Sequence, residues 1–104
     1  MQQPKYSVNV DAAAKSKMTR HARFLAQVSV PAAQRLRNAY QASLKSLEIN
    51  PQRCPLYNPS SEIQEELRYL LFSARYRIVF EIIGDSVYVY DVQDTRQDLD
   101  KSIV

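Results

Sequence analysis

The chain holds one glycine, one cysteine and one histidine in 104 residues. A lone Cys54 excludes an internal disulfide and fits a reducing cytosol. One cysteine and one histidine supply too few ligands for a zinc site, so no metal is expected. Cys54 sits between Arg53 and Pro55 in an expected loop, without the flanking pattern of a catalytic thiol, and reads as incidental. No apolar run approaches the ~18 residues that span a bilayer. The start, Met1-Gln2-Gln3-Pro4-Lys5, has no apolar stretch behind a basic end, so neither a secretory signal nor a membrane partner is expected. Repeats, low-complexity blocks and interdomain linkers are also missing. With 45% hydrophobic residues and a single glycine, residues 1–104 read as one ordered domain.

Charge is unevenly distributed. Residues 1–53 hold nine basic side chains against Asp11 and Glu48, a balance of +7, whereas residues 54–104 hold five against nine acids, a balance of −4. A basic helical half suits docking on phosphates or on an acidic protein, or is simply a solvated helix surface.

Residues 5 to 10 alternate Tyr6, Val8 and Val10 with polar residues, as a short strand does. Asp11 is placed to cap a following helix whose buried stripe is Ala14, Met18, Ala22, Leu25 and Val28. Ser29-Val30-Pro31 ends that helix and opens a second, with serine as N-cap and proline in the first turn. Its stripe is Ala33, Leu36, Tyr40, Leu44 and Leu47, and it stops before Asn50-Pro51. Pro51 to Ser61 reads as loop, and a strand follows over about Gln64 to Phe72. The resulting α+β order is β-α-α-β-β-β, a small antiparallel sheet with a two-helix hairpin on one face.

Residues 75–98 are the most informative part. Tyr76, Ile78, Phe80 and Ile82, then Val87 and Val89, alternate around Gly84-Asp85, a hairpin tolerant of positive φ. With that turn, Phe80 faces Val89 and Ile82 faces Val87 beneath the helices. Arg77, Val79, Glu81, Tyr88, Tyr90 and Val92 then share the opposite face. A four-residue loop before this hairpin pairs Arg68 with Glu81 and Phe72 with Arg77, adding Arg68, Leu70 and Phe72 to that second face. Arginines interleaved with tyrosines suit phosphate clamping and base stacking, although tyrosine also favours β surfaces for its own sake. Arg96 follows the last strand, placed either to reach a substrate beside Arg77 or to pair locally with Asp94 and Asp98. His21 falls near the first helix's buried stripe, as a packed, hydrogen-bonded histidine does.

These segments resemble a known family. FLAQVS and AAQRL within residues 24–36, Leu47-Glu48-x-Asn50-Pro51, Leu67-Arg68, RYRIVFEI and Asp94-x-Arg96 are similar to the RelE/ParE superfamily of type II toxin–antitoxin toxins, which includes plasmid stabilisation proteins. The resemblance runs from about Tyr6 to Asp98. It implies a RelE/ParE-like fold, a cytoplasmic toxin that arrests growth, a cognate antitoxin partner and no cofactor. In the RelE branch it implies ribosome-dependent mRNA cleavage, an endoribonuclease activity in which Arg77 and Arg96 match the arginines that bind the scissile phosphate and Arg68 matches the first of two lysines. The second lysine position holds Leu70, and the branch's C-terminal tyrosine has no counterpart after Arg96. The ParE branch poisons DNA gyrase without nuclease residues; two further readings are a nuclease that uses another base, Tyr88 or Tyr90, and a degenerate member that only binds an antitoxin. On the resemblance, RNA cleavage by an mRNA interferase is the leading expectation, with Arg68, Arg77, Tyr88, Tyr90 and Arg96 binding nucleic acid and gyrase inhibition as the alternative.

Overall fold

The computed structural model describes residues 5–57 and 66–96. Within them the order is β1 (Ser7–Val10), α1 (Ala12–Ala26), α2 (Val30–Ser46), a 3₁₀ turn at Pro51–Arg53, β2 (Leu67–Phe72), β3 (Tyr76–Ile83) and β4 (Ser86–Asp94). The caps are those the sequence predicts. Asp11 accepts from the Ala13 amide, and Ser29 accepts from the Ala32 amide with Pro31 in the first turn. Each satisfies an amide that has no partner inside its helix. Val28, expected on the buried stripe, is instead 82% exposed, because α1 ends at Ala26 and Val28 lies in the connecting turn. The first turn of the expected loop is the 3₁₀ piece, entered through Asn50 at a φ of 48°. Gln64 and Glu65, expected to start β2, lie outside the described residues.

The sheet order is β1-β4-β3-β2. β2, β3 and β4 are antiparallel, but β1 joins β4 in parallel, so the sheet is mixed where an antiparallel one was expected. The helix pair between β1 and β2 lets the chain place β1 at the far edge, beside the last strand. Both helices pack on one face. Ala14, Met18, Leu36, Tyr40 and Leu47 meet Ile78, Phe80, Val87, Val89 and Val92 in a continuous core.

Two local features decide which side chains face outward. Phe72 pairs with Tyr76 across a three-residue loop, with Ser73 and Ala74 at φ of 50° and 64°, rather than the expected four. One residue fewer reverses the parity of β2. Arg68 therefore pairs with Phe80 and Leu71 with Arg77. The second feature is a register shift between Val79 and Phe80, which pair with Asp91 and Val89 and leave Tyr90 as an extra residue on β4. A bulge presents two successive residues on one side. Val92 is thereby turned into the core, fully buried, instead of onto the outer face.

Past Val89, β4 runs beyond the end of β1, and α1 covers that stretch. His21 Nε2 donates to the Val92 carbonyl at 2.9 Å, and its ring meets Tyr76 edge-on. It is the packed, hydrogen-bonded histidine expected. Below it, buried Asp94 is clamped by Arg75 at 2.6 Å and accepts the Arg96 amide. Burial alone would raise the Asp94 carboxyl, but the Arg75 and Arg96 bonds hold it below its ordinary 3.8.

Two outcomes follow for stability. A carboxyl held below 3.8 contributes above that pH and loses its contribution as pH falls through the lower folded value. The wild type should therefore destabilise below about pH 4, and Asp94→Asn, about 2 kcal/mol less stable at neutral pH through its lost charged hydrogen bonds, should show a shallower acid slope in urea titrations. Ala74→Gly should add roughly 0.5 kcal/mol, since relief of a left-handed L-residue exceeds the entropy glycine brings. A loss in the same titration would contradict the loop conformation.

Candidate functional site

The outer face of the sheet, away from the helices, is organised around Arg77. Its parity puts Tyr69 and Leu71 of β2, Val79 and Glu81 of β3, and Tyr88 of β4 on the same side. The segment after the 3₁₀ turn adds to the β2 edge. Tyr69 donates its amide to Pro55, and Tyr57 donates its amide to Leu67. This brings the Tyr57 ring over the outer face. The Arg77 guanidinium lies 4.9 Å from the Tyr57 ring centre and 6.0 Å from that of Tyr69. Its Nε donates to Gln93 Oε1 at 2.6 Å. Stacking and hydrogen bonding from several sides hold the guanidinium in place.

Gln93 connects this cation to the helix layer. Its amide donates to the Tyr57 hydroxyl at 3.1 Å and to Asp91 Oδ2 at 3.0 Å. Asp91 in turn accepts from Lys17 Nζ of α1 at 2.8 Å. Burial would raise the Asp91 carboxyl, yet the bonds from Lys17 and Gln93 keep it below its ordinary 3.8. It is a poor proton acceptor at neutral pH, and it has no proton to give.

Tyr88 and Tyr90 are exposed, at 37% and 41%. Tyr88 pairs with Glu81, and the bulged Tyr90 donates to Glu81 Oε1 at 2.7 Å, so both share the face of Arg77 as expected. Arg96 is exposed one residue past Thr95, at the end of the sheet where Arg77 pairs with Gln93. Asp98, its other expected neighbour, lies outside the described residues.

Arg68 is the correction. Its parity turns it to the helix side, where Nη1 donates to the carbonyls of Cys54 at 2.7 Å and Gln52 at 3.2 Å. It ties the 3₁₀ turn to β2. Leu70 packs against the core and Phe72 lies within it, so neither contributes to the outer face as expected. Burial pushes the Cys54 thiol up, against the pull of Arg53 and Arg68, as suits an inert cysteine. Among the described residues no group of three histidine, cysteine or acidic side chains is placed to hold a metal.

Sequence reasoning missed Tyr57, Tyr69 and Gln93. Gln93 alternates with Tyr88 only after the bulge is counted, Tyr69 needed the correct loop length, and Tyr57 lies in a segment that reads as loop. The cross-strand position of Gln93 opposite Arg77 is the one signal in the sequence that a bulge at Tyr90 would have exposed.

The backbone arrangement matches one chain of the chromosomal ParDE TA system from P. aeruginosa with a TM-score of 0.68 and 12% identity, covering 86% of this chain and 96% of that one. At that identity the likeness defines the fold alone, two helices on a four-stranded α+β sheet. Residues 8–99 match the family described as ParE toxin of type II toxin-antitoxin system, parDE, and the chain belongs to this family. Nothing among curated proteins matches it.

Because Arg68 bonds to main-chain carbonyls on the core side, Arg68→Met should cost about 1–2 kcal/mol in urea unfolding while leaving the outer face intact. Unchanged stability would mean that Arg68 is not a tie between the turn and β2.

Proposed function

We propose that this protein is a growth-arresting toxin that acts in the cytoplasm by binding its target, with DNA gyrase as that target, and that a cognate antitoxin neutralises it. The family supplies the toxin–antitoxin setting. The observation that favours binding over RNA cleavage is the direction of Arg68. A phosphate-cleaving site built on Arg68, Arg77 and Arg96 needs all three on one face, and Arg68 is turned away and bonded to Cys54 and Gln52.

What remains on the outer face is a recognition surface. Arg77 lies against the rings of Tyr57 and Tyr69, Tyr88 and Tyr90 are exposed, and Arg96 lies at the strand end. Rigid aromatic rings around a fixed guanidinium are the groups that dominate binding energy at interfaces. The carboxylate nearest Arg77 through Gln93 is Asp91, which its Lys17 and Gln93 bonds keep ionised. RNA cleavage, the leading expectation from the resemblance, would require proton transfer that Asp91 does not offer, leaving it to Tyr88 or Tyr90, and a phenol holds its proton at neutral pH. The gyrase-binding alternative requires none. In this reading Arg77, Arg96, Tyr88 and Tyr90 contact the target, and Arg68 does not.

The test is induction of the toxin without antitoxin, followed by primer extension on a reporter transcript and measurement of double-strand breaks. Breaks should accumulate while transcripts stay intact, and Arg77→Ala should lower toxicity at least tenfold, consistent with loss of a central arginine anchor. In-frame transcript cuts that disappear in Arg77→Ala would overturn the reading in favour of RNA cleavage.

A further inference from the structure

Residues 12–47, which form α1, α2 and the turn between them, carry Lys15, Lys17, Arg20, Arg23, Arg35, Arg37 and Lys45 and no acidic side chain. The shortage of acids is local, since Asp11 and Glu48 bracket the segment and nine acids follow residue 53. Solvated helices ordinarily interleave both signs, because like charges one turn apart repel and opposite ones attract. Among the described residues Lys17 is the one cation of this segment with a carboxylate, Asp91 of β4, at 2.8 Å. The other six are exposed, and among the described residues none makes an ion pair. Arg20 and Arg23 lie about one turn apart on α1. Lys15 and Arg37 line one groove between the two helices.

Ser16, Gln27, Gln34, Asn38 and Gln41 are exposed among these cations. Hydroxyls and side-chain amides donate to phosphate oxygens as lysine and arginine do. The second half of the chain, which supplies three of the four strands, carries the balance of −4. The molecule is therefore dipolar, and a polyanion meets the helix layer first. Single strands bind by stacking on aromatic rings. Along the helices Tyr40 is buried, and Phe24 stands with Val28 and Val30 at the turn end of the hairpin. Protein interfaces centre on buried apolar groups, and those three are the large apolar side chains this segment exposes. A duplex presents a dense row of phosphates and needs neither rings nor an apolar centre.

We propose that the solvent side of the α1–α2 hairpin binds the phosphate backbone of duplex DNA. The choice of DNA over duplex RNA rests on the gyrase reading above, whose target handles a DNA duplex. The helices pack on one face of the sheet and Arg77 lies on the other. The two contacts therefore do not compete: the outer face meets the protein target while the helix layer lies along the DNA. Arg20 and Arg23 of α1 and Arg35 and Lys45 of α2 supply the phosphate contacts, with Lys15 and Arg37 between the helices.

The test is fluorescence anisotropy of a labelled duplex of about 20 base pairs titrated with the free, full chain across roughly 50–200 mM salt. Log affinity should fall against log salt with a slope of about −4. Arg20→Gln/Arg23→Gln and Arg35→Gln/Lys45→Gln should each weaken binding roughly tenfold or more and make the slope shallower by about 2, without lowering the unfolding midpoint. Lys5→Gln, which removes a charge exposed ahead of β1, should change neither. A slope that both double variants leave unchanged, or tighter binding to a single strand of the same length, would overturn the proposal. Tighter binding to duplex RNA would overturn the choice of DNA. Double-strand breaks on induction of a toxin that does not bind the duplex would overturn this inference and leave the gyrase reading standing. Duplex binding without breaks would support it and overturn that reading.

Discussion

Strand β3 is the member on which the other elements lean. β2 and β4 both bond to it, and its Ile78 and Phe80, fully buried, form the floor on which the helices sit. Burying two such side chains contributes on the order of 3–6 kcal/mol before entropy is counted, and it commits every alternate residue of the strand to the opposite side. Arg77, Val79 and Glu81 point outward because Ile78 and Phe80 point inward. The guanidinium is therefore carried by a strand that cannot rotate without emptying the core.

The two sides of the sheet are joined by a short polar path. Lys17 of α1 bonds to Asp91, Asp91 accepts from Gln93, and Gln93 accepts from Arg77. The path exists because β4 outruns β1 beyond Val89, so that α1 rather than a strand closes that edge. His21 on the Val92 carbonyl serves the same closure. A bulge at Tyr90 brings Asp91 and Gln93 into reach of both layers and leaves Val92 for the core. Tyr57 and Tyr69 then fix the far side of the guanidinium, so the cation is preorganised by groups from β2, β4 and the segment before β2.

Much of this was legible in the residues. The helix starts at Asp11 and Ser29, the Gly84-Asp85 turn and the Phe80–Val89 pairing follow from capping chemistry, turn chemistry and alternation, each of which acts over a few residues. The parity of β2 was not legible. It depends on whether three or four residues close the loop after Phe72, and Ser73 and Ala74 adopt left-handed conformations that neither residue type announces. A single residue of slip moved Arg68 from the proposed site to the core side. The bulge was equally silent, since alternation alone continues through Tyr90 and assigns Val92 to the wrong face. The parallel docking of β1 is a tertiary choice, set by where the helix hairpin delivers the chain.

The account depends on which arginine the aromatic rings surround. A NOESY spectrum of isotope-labelled protein measures this directly. The account predicts cross-peaks from the Arg77 side chain to the Tyr57 and Tyr69 rings, and none from Arg68 to either ring. Cross-peaks from Arg68 to Tyr69 across the outer face, or from Arg77 to the core ring of Phe80, would contradict it.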